Sequence, residues 1–245
     1  MPNAKIYVIN MAASRGRWER VKAALEPFGI PVERIDAVVG AQLSDAEISK
    51  SYSRAKNFLF YTRFLSRGEI GCYLSHKKAW QKFLEDGADF GIILEDDVEP
   101  LPEFAKIPEL LENLKEPFDY AKLIAPGRAK KIIRETPAGN FRIVRWLKPP
   151  TYAAAQALTP SGARKLLDGR KIFFRPVDVD IQYFWETHLN IIGIYPEPFK
   201  FAETSKQSTI ASAGRKAARR TYPLARLANE IAYYLKAAFY GGKTF

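Results

Sequence analysis

The sequence predicts an α/β fold, a single domain with a mixed, mostly parallel sheet followed by a C-terminal amphipathic helix. Three observations carry that expectation. Near the N-terminus, apolar runs of strand length alternate with a stretch of helical periodicity, and the links between them are short, as parallel β-α-β units require. The chain has 245 residues, 47% of them hydrophobic and 13% aromatic, enough to bury one large core. Its last thirty or so residues return to helical spacing with an apolar stripe.

The elements follow in order. Lys5 to Asn10, "KIYVIN", reads as a buried first strand. In "SRGRWERVKAALEPFGI", Trp18, Val21, Leu25 and Phe28 recur at helical spacing until Pro27, Gly29 and Pro31 stop the helix. "VERIDAVVG" reads as a second strand. Between Ala41 and Arg67 the pattern loosens into short helices or a long functional loop around "NFLFYTRFL". "GEIGCYLSHKKAWQKFLEDG" resumes a helix with Tyr73, His76, Trp80 and Leu84 on one side, and "FGIIL" is the next strand. "YAKLIA" predicts another strand. "KKIIRETPAGNFRIVRW" predicts a hairpin turning at Pro137-Ala138-Gly139-Asn140. "GARKLLDG" is a short helix, and "RPVDVDIQYFWETHLN" is a loop entering a helix that Asp178 is placed to cap. The tail ends in a helix whose stripe is Leu224, Leu227, Ile231 and Leu235.

Composition excludes several classes. No apolar run reaches the roughly 20 residues that span a bilayer, and no signal-peptide pattern precedes the first strand, so a cytoplasmic protein is expected. One cysteine, Cys72, excludes a disulfide framework and a multi-cysteine zinc site. His76 and His188, the only histidines, argue against a histidine-built metal site. The net charge is +11, and from Phe201 onward eight Lys and Arg stand against two acids, which accounts for +6 of it. Such a tail points to an anionic partner, among which nucleic acid, a membrane surface and a phosphorylated glycolipid stay open, or simply to solubility.

Against this basic background, Glu95, Asp96 and Asp97 stand together at the end of the "FGIIL" strand. In open α/β sheets, ligands bind beyond the carboxyl ends of strands. If the chain stays extended there, Glu95 and Asp97 point one way and Asp96 the other. Two carboxylates on one side repel each other, and a hard divalent cation, Mg²⁺ or Mn²⁺, relieves the repulsion while recruiting substrate phosphate oxygens. The three acids alone also fit a solvated loop or a helix N-terminus.

The surrounding motifs narrow the choice. "INMAASRGRW", "RGEIGCYLSHKKAW", "ILEDDV", "LTPSGARKLL" and "RPVDVDI" occur in this order over roughly residues 5 to 200. Together they resemble glycosyltransferase family 25, the bacterial lipopolysaccharide and lipooligosaccharide β-glycosyltransferases. "GEIGCYLSH" followed by "LEDD" is the most specific part. The resemblance implies a GT-A-type, Rossmann-like nucleotide-sugar domain over residues 1–205, with residues 206–245 as a basic amphipathic extension. It also implies a metal-dependent inverting transfer, with UDP-galactose the favoured donor and a lipooligosaccharide core as acceptor. On that basis Asp97 is the main metal ligand, Glu95 a second or water-mediated one, and Asp96 lies near the donor ribose. Asn10, Arg15, Arg17 and His76 are candidate donor contacts. The chain departs from the family where Met11 replaces a leucine, where Gly16 replaces an aspartate, and where Gln156 stands at a position more often aromatic.

An inverting transfer needs a base for the acceptor hydroxyl, separate from the metal-bound acids. Asp178 matches the family's Pro-x-Asp pattern and is the first choice, although it also fits a helix N-cap; Asp180 and Glu186 are reserves. His76 fits a buried core histidine as well as a donor contact. His188 and Cys72 read as structural, and Lys130 and Lys131 as a solvated hairpin or a steering pair. Arg215, Lys216, Arg219 and Arg220 precede the apolar stripe, so the tail either lies on the anionic cytoplasmic face of the inner membrane or packs on the protein's own core. A catalytically inactive sugar- or nucleotide-binding relative is the alternative. A basic nucleic-acid-binding module stands behind both, since no nucleic-acid motif is visible, and no nucleic-acid partner is expected.

Overall fold

The computed structural model describes residues 3–61, 63–125, 130–203, 223–241 and 243. Its strands are β1 (Ala4–Asn10), β2 (Val32–Asp36), β3 (Phe90–Glu95), β4 (Val98–Pro100), β5 (Tyr120–Lys122), β6 (Ile132–Ala138), β7 (Phe141–Trp146), β8 (Ala155–Leu158), β9 (Ile191–Tyr195) and β10 (Phe199–Phe201). Its helices are α1 (Arg15–Leu25), α2 (Asp45–Ser49), α3 (Arg54–Phe60), α4 (Arg67–Asp86), α5 (Ile107–Glu112), α6 (Pro160–Gly169), α7 (Val177–Ile181) and α8 (Pro223–Tyr240). Eight strands form one sheet in the order β2-β1-β3-β8-β5-β9-β7-β6, while β4 and β10 pair separately. Pairing is parallel for β1 with β2 and β3 and for β5 with β9, and antiparallel elsewhere. Only β7 and β8 therefore run against the other six. The sheet is mixed but mostly of one direction.

The apolar runs of β1 and β3 follow from burial on both faces. Ile6, Val8, Ile92 and Leu94 pack on one side with Val21 and Leu25 of α1 and Ile107 and Leu111 of α5. Tyr7, Ile9 and Ile93 belong to the other side, with Tyr73, Trp80 and Phe83 of α4 and Ala163 and Leu166 of α6. Helix α4 begins in a capping box, in which Ser66 and Glu69 satisfy each other's backbone N–H, and ends at Gly87 in the left-handed region.

The first half of the chain and the hairpin match the expected elements. Ala41 to Arg67 forms two short capped helices, α2 and α3. Strand β2 ends earlier than "VERIDAVVG" suggests, because residues 37–40 leave the sheet to pack on α4. Val38 N–H donates to Ser75 Oγ at 2.8 Å. Strands β4, β8, β9 and β10 and helix α5 are additions to the expected list, and β8 sits between β3 and β5. Its sequence, Ala-Gln-Ala-Leu, lacks the β-branched and aromatic residues that announce a strand.

The tail helix has two faces. Tyr233 and Ala237 are buried in the α4-side core, and Tyr233 O–H donates to the Gln182 carbonyl at 3.1 Å. Leu227, Ile231 and Leu235 of the expected stripe are exposed, together with Tyr234 and Phe239. The boundary expected after residue 205 and the basic run Arg215 to Arg220 lie outside the described residues, as does the side chain of Leu224.

The approach of α4 to the 37–40 loop is tight at Gly71, where an added Cβ would lie 2.5 Å from the Val38 carbonyl oxygen and 2.7 Å from Gly40 N. Both neighbours are backbone and have no rotamer to yield. Gly71→Ala is expected to destabilise the protein by about 1–3 kcal/mol, the usual cost of overpacking. Urea unfolding checks this, and an unchanged midpoint would show that the loop does not pack on α4.

Candidate active site

The carboxyl ends of β1, β2 and β3 meet at one edge, with Asn10 beside Asp36 and Ile9 beside Glu95 in register. Beyond that edge lies a cavity of about 550 Å³. Its walls are Met11, Ser14 and Arg17 after β1, residues 37–41 after β2, one face of α4 with Cys72, Ser75 and His76, and the acidic turn Glu95 to Asp97. This is where an open α/β sheet binds ligands.

The strand does not continue through the acids. β3 ends at Glu95, and Asp96 and Asp97 form a turn before β4. The expected alternation of side chains therefore stops, and all three acids line the cavity with different partners. Asp96 Oδ2 accepts from Asn10 Nδ2 at 2.7 Å, and its Oδ1 accepts from Arg17 Nη1 at 3.3 Å. Arg20 Nη2 donates to the Asp96 carbonyl at 3.1 Å, and Arg34 Nε donates to Asn10 Oδ1 at 3.0 Å. Asn10 and Arg17, expected at the donor, thus also fix the acidic turn. Glu95 Oε1 lies 3.2 Å from His76 Nε2.

Asp97 differs from both. Its Oδ1 is buried with no hydrogen-bond partner among the described residues. Burial, then the charges of Glu95 and Asp96, push its carboxyl from the ordinary 3.8 up to about 7, against a smaller opposing pull from Arg17. An orphaned carboxylate oxygen beside a second carboxylate fits a hard divalent cation, which supplies both the missing partner and the missing charge. A softer donor set adjoins it, in which Cys72 Sγ, a ring nitrogen of His76 and a Glu95 oxygen all lie within 4.8 Å of one another.

Asp178 lies inside the first turn of α7, whose N-cap is Pro176, so the capping role does not hold. Its Oδ1 accepts from Val179 N–H at 2.9 Å and its Oδ2 from Tyr152 N–H at 3.2 Å. Burial raises the Cys72 thiol, and the charges of Glu95, Asp178, Glu69 and Asp97 raise it further, but Asp178 itself is not among the residues that line the cavity. Asp180 is held differently. It is buried, Oδ1 accepts from Arg175 at 2.7 Å, and Oδ2 accepts from Tyr73 O–H and Arg170 Nε, each at 2.7 Å. With each oxygen taken by an arginine and Oδ2 also by a phenol, Asp180 ties α4 to α7 and does not line the cavity. Glu186 is held likewise by Arg175 at 3.0 Å and Arg170 at 2.9 Å. Burial would raise its carboxyl, but the Arg175 hydrogen bond and both arginine charges hold it below the ordinary value.

Arg15 is exposed at the start of α1 and is not part of the cavity wall. His188 stands on an exposed turn at φ 54°, away from that wall. Lys130 and Lys131 are exposed before β6. Gln156 is fully buried behind His76, so it does not touch a substrate in the cavity. The sequence reading missed Tyr152 and Lys122. Tyr152 sits at φ 70°, unusual for a bulky residue, with its ring half exposed. Its carbonyl accepts from Lys122 Nζ at 2.6 Å, and burial brings that ammonium down to about 8. The only sequence signal was a lysine inside the apolar run "YAKLIA".

The family model described as glycosyltransferase family 25, LPS biosynthesis protein, matches residues 3–181. Procollagen galactosyltransferase 1-B of Xenopus laevis is 28% identical over 195 residues, 75% of this chain and 31% of that protein. The human protein named inactive glycosyltransferase 25 family member 3 is 28% identical over 192 residues, 76% of this chain and 32% of its own length. The chain thus spans about a third of the length of these curated relatives. Among solved structures, a Drosophila β-1,4-galactosyltransferase 7 mutant with manganese, UDP-Gal and xylobiose matches with a TM-score of 0.44 and 10% identity, over 91% of this chain and 79% of that one.

The raised Asp97 carboxyl has a sign that can be measured. Its folded value of about 7 lies above the ordinary 3.8, so between those pH values the native state binds more proton than the unfolded chain and stability falls as pH rises. In metal-free protein, Asp97→Asn is expected to raise the melting midpoint at pH 8 by at least about 2–4 °C, the shift per kcal/mol for a chain of this size. At pH 4.5 the gain should vanish. Equal midpoints for variant and wild type at pH 8 would show that Asp97 is not a strained charge.

Proposed function

This chain belongs to glycosyltransferase family 25, and we propose that it is a metal-dependent, inverting glycosyltransferase that moves galactose from UDP-galactose to a lipooligosaccharide or lipopolysaccharide core. The observation that carries this reading is the buried oxygen of Asp97, without a partner among the described residues, beside Glu95 in the wall of the 550 Å³ cavity. Glu95 and Asp97 would hold Mn²⁺ or Mg²⁺, whose chemistry there would be to supply positive charge against the departing diphosphate. Arg17, held at the cavity wall by Asp96, adds positive charge on the same side, and Asp96 lies nearest the ribose. The apolar side of the cavity, with Ile9, Val38, Val39 and Cys72, accommodates the nucleobase.

Asp178 is the base in this reading. Two backbone N–H groups orient its carboxylate, and it lies outside the cation seat, so it can take the acceptor hydroxyl's proton as that oxygen attacks. The galactose donor is favoured by the names of the relatives, and the lipopolysaccharide acceptor by the description of the family. The second reading, a binding protein without turnover, draws on two points. Gly16 stands where the family has an aspartate, and one relative is named inactive.

One assay separates the two. With a panel of UDP-sugars, the wild type is expected to hydrolyse or transfer one donor only with Mn²⁺ present, and Asp97→Asn is expected to lose both that dependence and the turnover. Asp178→Asn should keep donor binding and lose transfer by roughly 10²–10⁴-fold, the range for a general base. Donor binding without any turnover would establish the inactive reading, and full activity in Asp178→Asn would remove that residue from the chemistry.

The exposed stripe of α8 supports peripheral contact with an anionic membrane, with residues 206–245 as the docking extension. No described helix is long and apolar enough to cross a membrane. Leu227, Ile231 and Leu235 face outward on a helix already anchored through Tyr233 and Ala237, and the basic run before it adds on the order of 1 kcal/mol per charge at an anionic surface. In flotation with phosphatidylglycerol vesicles, the full chain is expected to rise with the lipid, and a Leu227→Glu, Ile231→Glu, Leu235→Glu variant to stay behind. Equal flotation of the two would end the membrane role.

A further inference from the structure

Behind Glu95, a row of buried hydrogen bonds leads from the core to the cavity. The indole N–H of Trp80, a group that can only donate, points at Gln156 Oε1 at 3.3 Å. Gln156 Nε2 points at the Ala153 carbonyl, which can only accept, at 3.0 Å. These two contacts fix the amide, because a flipped amide would set N–H₂ against the indole N–H and oxygen against the carbonyl. The second N–H of the amide is thereby aimed at His76 Nδ1, 3.0 Å away. Trp80, Gln156 and His76 have no solvent exposure, so water cannot take over any of these contacts. An imidazole whose Nδ1 accepts carries its proton on Nε2, and Nε2 is the atom facing Glu95 Oε1 at 3.2 Å.

We propose that Trp80, Gln156 and His76 form a positioning relay that locks His76 as an Nε2–H donor to Glu95, and so holds the Glu95 carboxylate in the orientation the cation and donor require. The proposal rests on the reading of Glu95 as part of the cation seat. It assigns His76 a role as a positioning residue that does not itself ligate. It also explains the uncommon Gln156, whose amide sets the tautomer from behind the site.

The relay decides between two metal chemistries that the geometry offers. Cys72, His76 and Glu95 stand close enough together to suggest a soft cation such as zinc. A ligating histidine needs its Nε2 lone pair and gives its Nδ1–H to an acceptor. Here the group opposite Nδ1 is an N–H donor, so that set is not organised for zinc. A hard cation on carboxylate oxygens fits the same site without changing any of these hydrogen bonds.

The test uses the full chain, labelled with ¹⁵N, without metal. There are two histidines, and His188→Asn, outside the cavity wall, assigns the signals. Long-range ¹H–¹⁵N correlation is expected to show His76 with a bare Nδ1 and a protonated Nε2; the opposite tautomer would overturn the relay. The role toward Glu95 is read separately, through Mn²⁺ affinity by electron paramagnetic resonance. His76→Gln sets an amide N–H where Nε2–H stands and should bind Mn²⁺ within about threefold of wild type. His76→Asn, which reaches only the Nδ1 position, should lose roughly 10–100-fold, the range for outer-shell partners. Equal losses in the two variants, or wild-type affinity in both, would overturn the positioning role. So would Zn²⁺ alone binding at His76 Nε2 and losing that binding in Cys72→Ser. A wild type that binds no Mn²⁺ and turns over no UDP-sugar would instead sink the functional reading of the site, while the tautomer measurement still judged the relay.

Discussion

Three carboxylates compressed into a turn at the end of a buried strand are the constraint around which this site is built. Like charges so close raise one another's protonation cost, and burial at the sheet edge deprives them of water. The surroundings answer each acid differently. Asp96 is satisfied by Asn10 and Arg17, and its backbone by Arg20. Glu95 receives one contact from His76. Asp97 is left with an oxygen that has no partner among the described residues. The arrangement is incomplete as an electrostatic unit, and the cation proposed above would complete it.

The cavity in front of these acids depends on how closely α4 approaches the loop after β2. Gly40 and Gly71 let two backbones pass where any side chain would collide, and Ser75 pins Val38 across the gap. One helix therefore builds the wall of the cavity, through Cys72, Ser75 and His76, and the core beneath it, through Tyr73, Trp80 and Phe83. The same helix reaches α7 through Tyr73 and Asp180. The acidic turn and the loop that carries Asp178 are thus positioned from a common rigid element, although some 80 residues separate them in the chain. The strained backbone at Tyr152 belongs to this framework. It is held between a buried lysine and Asp178, and strain of this kind persists only where surrounding contacts over-determine it.

Much of this was legible in the sequence. Periodicity, prolines and glycines placed β1, α1, α4, β3 and the hairpin, because local spacing and local breakers decide those elements. The apolar run into three acids marked the candidate site, because an acidic cluster at a strand end is a local feature. What the sequence did not show is every relationship that depends on partners far apart in the chain. β8 was missed because its strand state comes from pairing between β3 and β5 and owes little to its alanine-rich residues. Asp178 and Asp180, two residues apart and alike on paper, were separated only when Arg170, Arg175 and Tyr73 arrived from elsewhere to saturate one of them. The tail stripe could be read as apolar, but the opposite face, with Tyr233 and Ala237, is the one that packs. Local pattern thus determined where the candidate site lies. Tertiary contact decided which groups remain available to perform it, since a polar atom is available only when no distant partner has already taken it.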